Sequence, residues 1–99
     1  MRFVRDGIKN RRNRLKHKVS FETAVSAFDD RGAVSIQDRF VSDEERWQTL
    51  GMIEGGVVLL VAHSIALEGA EEIIRIISAR KATPREREFY AQSQQKAKS

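Results

Sequence analysis

Lys16 and His17 stand side by side near one end of the chain, and Arg80, Lys81 and Glu86 cluster near the other. Histidine is the usual proton donor or acceptor near neutral pH, and Arg and Lys steady developing negative charge. Such a set suits metal-free cleavage of RNA. The 2′-hydroxyl attacks its own phosphate, so the substrate brings the nucleophile. The protein then supplies a base, an acid and cations for the phosphorane. Other chemistries find little support. There is no cysteine, hence no disulfide, no thiolate nucleophile and no cysteine-bound zinc. No Gly-rich phosphate loop, G-x-S-x-G elbow or H-E-x-x-H spacing occurs, and His17 and His63 belong to different predicted elements. No metal and no cofactor is expected.

Each candidate also has a plainer reading. Lys16-His17 closes a predicted helix, where the dipole favours a protonated imidazole. It is either a helix cap with a solvated lysine or an acid–base candidate. Arg75 lies in the apolar run Ile73 to Ser78 and by alternation shares a face with Ile73 and Ile77. A buried Arg needs a partner, either a carboxylate from Glu44, Glu45 or Glu86, or a phosphate. Arg80-Lys81 leaves that strand just before a helix start, a position that suits an anion. His63 ends an apolar strand and reads as an edge-of-core residue. Trp47 reads as core, with Arg46 facing the other way.

The charge distribution narrows the partner. Of 99 residues, 18 are Lys or Arg and 14 Asp or Glu, a balance of +4. Met1 to Lys18 alone carries eight basic residues, Arg12 and Arg14 among them, against one acid. Val19 to Glu72 holds eleven acids against three bases, and the remainder is basic again. This asymmetry fits a polyanion, whose counterions are released by each Lys or Arg contact. The longest apolar run, Gly55 to Ala62, is too short to span a bilayer, and the basic N-terminal segment has no signal-peptide core. A cytoplasmic protein with no membrane partner is expected.

The elements that must position these residues are legible in outline. Arg2 to Val4 predicts a short strand. Asp6 to Lys16 predicts a helix with Ile8 and Leu15 on its inner side, seven residues apart. Ser20 caps a second helix, in which Phe21, Ala24, Val25 and Phe28 recur at helical spacing, and Gly32 stops it. Ala33 to Ile36 is a strand, Arg39 to Glu44 a polar loop, and Glu45 to Ile53 a strand. Gly55-Gly56 turns the chain into the strand Val57 to His63. Ile65 to Glu71 reads as a loop or wide turn, followed by the strand Ile73 to Ser78. Thr83, Pro84 and Glu86 form a capping box for a last helix through Tyr90, with residues 92–99 fraying. The expected architecture is one α+β domain over residues 1–99. Its small antiparallel sheet has about four strands, with two N-terminal helices, a C-terminal helix and the helices on one face.

The chain resembles the BrnT toxins of bacterial type II toxin–antitoxin systems. The resemblance rests on Asn13-Arg14-Leu15-Lys16-His17 followed by Val19-Ser20-Phe21-Glu22, close to the family's N-x-x-K-H-G-V-S-F-E. Phe28-Asp29-Asp30, Glu44-Glu45-Arg46-Trp47 and Leu50-Gly51 follow in order. The most specific part is Ile73-Ile74-Arg75-Ile76-Ile77-Ser78-Ala79-Arg80-Lys81-Ala82-Thr83, with Glu86-Arg87 and Tyr90 behind it. It spans roughly Phe3 to Tyr90.

The resemblance implies a RelE-like, microbial-ribonuclease type of fold and an endoribonuclease that blocks translation. It also implies a BrnA-type antitoxin that silences the chain in a hetero-oligomer, and operator DNA bound only through that antitoxin. It assigns Arg80 and Lys81 to the phosphate and His17 to acid–base work. Arg46 and Arg75 become RNA contacts or scaffold, and Glu86 orients an arginine; within the basic N-terminal segment, Lys16, Arg12 and Arg14 are the residues expected to bind RNA phosphates. Three departures stand out. Lys18 replaces the Gly after Lys-His, which must strain if that position needs a positive φ. Ser64-Ile65-Ala66-Leu67-Glu68-Gly69 stands where the family usually places an Arg soon after the strand ending at His63, and no Arg appears until Arg75. Val4-Arg5-Asp6 replaces the family's usual Trp-Asp. The alternatives are a degenerate module that binds antitoxin or nucleic acid without cutting, and a stand-alone DNA-binding regulator. The absence of a helix-turn-helix pattern counts against the latter.

Overall fold

A computed structural model describes residues 1–41 and 44–98. In chain order the elements are β1 (Arg2–Val4), α1 (Gly7–His17), α2 (Phe21–Ser26), a 3-10 turn (Ala27–Asp29), β2 (Val34–Val41), β3 (Glu44–Met52), β4 (Val58–Glu68), β5 (Glu71–Lys81) and α3 (Pro84–Lys98). The strands form one sheet in the order β1-β5-β4-β3-β2. β2 to β5 are an antiparallel meander. β1 lies parallel to β5, with Arg2, Phe3 and Val4 opposite Ile73, Ile74 and Arg75. The α+β expectation holds, with a mixed sheet of five strands in place of an antiparallel one of about four.

The helix starts are written in side chains that accept backbone N–H groups. Asp6 receives Ile8 N at 2.8 Å and Lys9 N at 3.3 Å. Ser20 Oγ receives Thr23 N at 3.1 Å. The capping box at α3 is complete: Thr83 N donates to Glu86 Oε1 at 2.8 Å, and Glu86 N to Thr83 Oγ1 at 3.2 Å. α1 stops at Lys18, whose φ of 63° lets its N–H return to Arg14 O at 2.9 Å. The positive φ expected where the family carries Gly is present, on a lysine.

β4 is apolar on both sides because both are covered. Leu59 and Val61 join Phe21, Ala24, Ala27, Ile74, Ile76 and Ala79 in the main core, on the face under α2. Val58 and Leu60 point the other way and pack with Leu50, Ala82 and Tyr90. The C-terminal helix therefore lies on the opposite face from α2, which corrects the expectation of helices on one face. The sequence pattern of β4 already contained this: alternation with no polar side means two buried sides.

Four further expectations are corrected. Ile65 to Glu71 is not a loop. The β4–β5 ladder continues to Glu68 opposite Glu71, closed by a turn at Gly69 with φ 64°. The polar loop over 39–44 is also largely strand, since β2 reaches Val41 and β3 starts at Glu44, while its residues 42–43 lie outside the described ones. Both hairpin ends carry polar or mixed residues, so backbone pairing rather than side-chain burial extends them. α3 runs to Lys98, so residues 92–98, expected to fray, are helical, and Gln94 Nε2 reaches Gly32 O at 2.7 Å. Finally, Ile8 and Leu15 are 68% and 75% exposed, and the buried residue of α1 is Asn13. α1 is docked by amides: Asn13 bonds Ala79 and Val19, and Asn10 Oδ1 accepts Phe21 N at 2.9 Å.

Candidate active site

On the α3 face, register and alternation bring three residues into one row across the sheet. Arg46 of β3 pairs with Ser64 of β4, which pairs with Arg75 of β5. The neighbouring row is Gln48, Ala62 and Ser78, and beyond it lie Leu50, Leu60 and Arg80. Neighbouring strands stand about 4.8 Å apart, so the two arginines flank Ser64 at roughly twice that spacing. Ser64 is buried and Arg75 exposed. No ion pair ties Arg75 to a described carboxylate. Glu86 bonds Arg80, Glu45 accepts Trp47 Nε1 at 3.1 Å, and the side chain of Glu44 lies outside the described residues. Arg46 Nε is buried without a hydrogen-bond partner. A buried N–H left empty costs about 1–3 kcal/mol, so this donor lacks the compensation that buried polar groups ordinarily find.

Arg80 sits on the same face but is engaged. Its Nη1 and Nη2 donate to Glu86 Oε1 at 2.7 Å and Oε2 at 3.0 Å, and Nη1 also reaches Lys81 O at 3.3 Å. Those two bonds are the main reason the Glu86 carboxyl is held down to about 2, against burial and with help from Thr83. Glu86 therefore both caps α3 and orients an arginine. Lys81 points the other way: it stands opposite Leu59, on the α2 face, and is exposed. Adjacent strand residues cannot serve one phosphate from the same side.

His17, Lys16 and Arg12 line a second feature, a groove of about 280 Å³ shared with Lys9, Asn13, Ile77 and Ser78. A bulge in β5 makes the groove wall. Ser78 pairs with Ala62 and Ile76 with His63, leaving Ile77 as the extra residue. Ser78 thus belongs both to the groove and to the arginine-bearing face, and the two meet there. Arg14 is not with them. It lines a separate depression with Arg11 and Leu15 on another flank of α1.

His63 is away from all of this. It points to the α2 face, 1% exposed, with Nε2 2.7 Å from Thr49 Oγ1 and its ring edge-on to Phe28 at 5.0 Å. Thr49 Oγ1 lies 2.8 Å from Ser35 Oγ, and His63 Nδ1 has no hydrogen-bond partner. Burial pushes its pKa down to about 4, opposed only by the adjacent Ser64 backbone, so the ring is neutral. Trp47 is half-buried beside it in register.

Sequence reasoning missed Ser64, Ser78 and Asp30. The serines are visible only through register. Asp30 accepts from Gly32 N at 2.9 Å, Met52 N at 2.8 Å and the Tyr90 hydroxyl, which ties α3 to the β2 end of the sheet. Burial pushes the Asp30 carboxyl up, and these three donors outweigh it and hold it below its usual range. Burial, followed by the Asp30 carboxylate, raises Tyr90 to about 12.

Fold and site define a small basic α+β protein whose sheet face and adjoining groove carry cations, Arg75 among them, without an ion pair among the described residues. Over residues 6–86 the chain matches the family described as ribonuclease toxin, BrnT, of type II toxin–antitoxin systems. The chain belongs to that family: it is a ribonuclease toxin, a class that implies an RNA substrate and an antitoxin partner. No curated protein sequence matches it significantly. No described helix is long and apolar enough to cross a membrane.

Proposed function

We propose that this toxin is an endoribonuclease that cuts RNA without a metal, using the substrate's own 2′-hydroxyl, and thereby inhibits translation. The observation that carries the reading is the buried, unpartnered Nε of Arg46, in one row with Arg75, which has no ion pair among the described residues. A phosphate over Ser64 satisfies that donor and pairs with both guanidiniums as charge develops on the phosphorane. Arg80, fixed by Glu86, extends the positive field towards the start of α3. The groove enters the same face at Ser78, so His17 is the acid–base candidate and Lys16 and Arg12 hold the flanking backbone. Lys81 contributes field from the other side, and Arg14 is assigned to a different surface. A BrnA-type antitoxin neutralises the chain in a hetero-oligomer, and that complex binds operator DNA and represses its own synthesis.

The test is cleavage of free RNA by the purified chain in EDTA. Cutting by wild type, lost in Arg46→Ala and His17→Ala with the fold intact, is the expected result. Cutting that survives both substitutions rejects the site. The absence of any Lys or Arg in β4 favours a second reading, a domain that binds RNA or antitoxin without cutting. Tight binding with no cleavage, on free RNA or on ribosomes, would establish that reading instead.

A further inference from the structure

The orientation of α1 runs against ordinary amphipathic logic. Asn13 is its buried residue, and Asn10 and His17 flank the docked side. Ile8 and Leu15 lie seven residues apart, so they stack within about 20° of each other, and Asn13 stands roughly 140° round from Ile8. The two aliphatic residues therefore crown the helix away from the sheet, 68% and 75% exposed. Arg11 and Arg14 border the same ridge, and Arg11, Arg14 and Leu15 together line a depression. Neither arginine has an ion pair among the described residues, although Arg5 nearby holds Glu22 at 3.1 Å. The ridge stands on the most basic stretch of the chain.

We propose that the ridge Ile8, Arg11, Arg14 and Leu15 is the docking surface for the antitoxin, and that its occupant is an acidic segment bearing aliphatic side chains. The inference rests on the reading of the chain as an antitoxin-bound toxin and adds where and by what chemistry the partner binds. Two exposed aliphatic residues gain from burial only against an apolar partner, which phosphate and ribose do not provide. The arginines at their flank select carboxylates and steer the encounter. A second copy of this chain is a poorer fit. At its exposed tip around Leu67, the carboxylates of Glu68 and Glu71 are already bonded by Arg2. The groove of His17 lies on the neighbouring flank of α1, so an occupant that overhangs Arg12 also closes the RNA approach.

The experiment titrates the purified cognate antitoxin into full-length wild type, Ile8→Glu/Leu15→Gln and Arg11→Glu. RNA cleavage, sedimentation and the thermal melt of each are followed in parallel. Every substituted side chain is exposed, so the melts should overlay. Expected is a loss of antitoxin affinity of about 100-fold in the Ile8/Leu15 variant, a similar loss in the arginine variant, and cleavage within about twofold of wild type. Unchanged antitoxin affinity in both variants overturns the proposal. So does cleavage lost with antitoxin binding kept, which gives the ridge to RNA, or altered self-association alone, which gives it to a second copy. If wild type itself fails to bind the antitoxin, the pairing is wrong and the proposal falls with it.

Discussion

The side chain of Asn13 completes the edge of β5 at Ala79. Its Oδ1 accepts Ala79 N at 3.1 Å and its Nδ2 donates to Ala79 O at 2.8 Å, the two bonds a neighbouring strand would make. β1 pairs only as far as Arg75, so beyond it the edge of β5 needs another partner. The same Nδ2 also reaches Val19 O at 2.8 Å, which joins α1, the sheet and the start of α2 through one amide. Asn13→Leu keeps the branched outline with a larger side chain and strands three buried backbone groups. Each costs about 1–3 kcal/mol, so we expect a loss of about 3–5 kcal/mol in urea denaturation. Asn13→Asp should be no better, since a carboxylate cannot donate to either carbonyl.

Lys18 should be improvable. Its φ of 63° places a β-carbon in the left-handed region, at a cost of about 1 kcal/mol relative to glycine. Lys18→Gly is expected to stabilise the chain by about 1 kcal/mol, raising the melting temperature by about 4–8 °C in a domain this size. Cleavage should be unaffected, because the lysine side chain is exposed at the end of α1 and does not line the groove.

Gly51 predicts the reverse. A β-carbon there would meet the backbone oxygen of Ala27 at 2.3 Å, where β3 runs under the 3-10 turn. Gly51→Ala must push that turn off the sheet. We expect a loss of at least about 2 kcal/mol in the same denaturation assay, and failure to fold for Gly51→Val.

His63 sets a pH window. Its pKa is near 4 in the folded chain and about 6.5 when unfolded, because burial disfavours the cation. A lowered native pKa means the unfolded state takes up the proton first as pH falls. Stability from this group is therefore full above pH 6.5 and lost progressively down to pH 4. Denaturation midpoints at pH 7 and pH 4.5 should differ by about 2 kcal/mol or more from this group. His63→Gln should flatten that segment of the profile. Unchanged steepness in the variant would assign the slope to the carboxylates, Glu86 included.

What could be read from the sequence divides along physical lines. Caps and turns are local, so Ser20, Thr83 with Glu86, and Gly55-Gly56 gave true boundaries. The β-branched run of β5 and the two-sided apolar run of β4 gave true strands. α1 misled because its docking uses Asn10 and Asn13, and a polar contact leaves no hydrophobic period. Ile8 and Leu15 had the right spacing for a core face and stand on the outside. The candidate site was legible as a set of residue types but not as a geometry. Whether Arg80 and Lys81 act together depends on strand alternation, which separates them. Whether Arg46 meets Arg75 depends on the register of three strands and a bulge at Ile77. The pairing of Arg80 with Glu86 lay closer to the surface of the sequence, since one carboxylate six residues on could both cap a helix and turn back to the strand.

That pairing allows scaffold to be told from site among the arginines. Arg75 is exposed and has no ion pair among the described residues, so Arg75→Ala should leave the melting temperature within about 1 °C of wild type. If Arg75 holds phosphate, cleavage should fall by about 100-fold, the scale of losing one positioned cation in a transition state. Arg80→Ala should behave differently. It leaves Glu86 without its bidentate partner at the first turn of α3, so the variant should lose about 1–2 kcal/mol of stability as well as activity. Glu86→Gln keeps one acceptor for Thr83 N and removes the charge that holds Arg80. If Glu86 only orients, Arg80 is freed and cleavage survives at a reduced rate with weakened RNA binding. If the carboxylate moves a proton itself, cleavage disappears while RNA affinity rises. Side-by-side rates, RNA affinities and melts for these three variants separate a positioning glutamate from a reacting one.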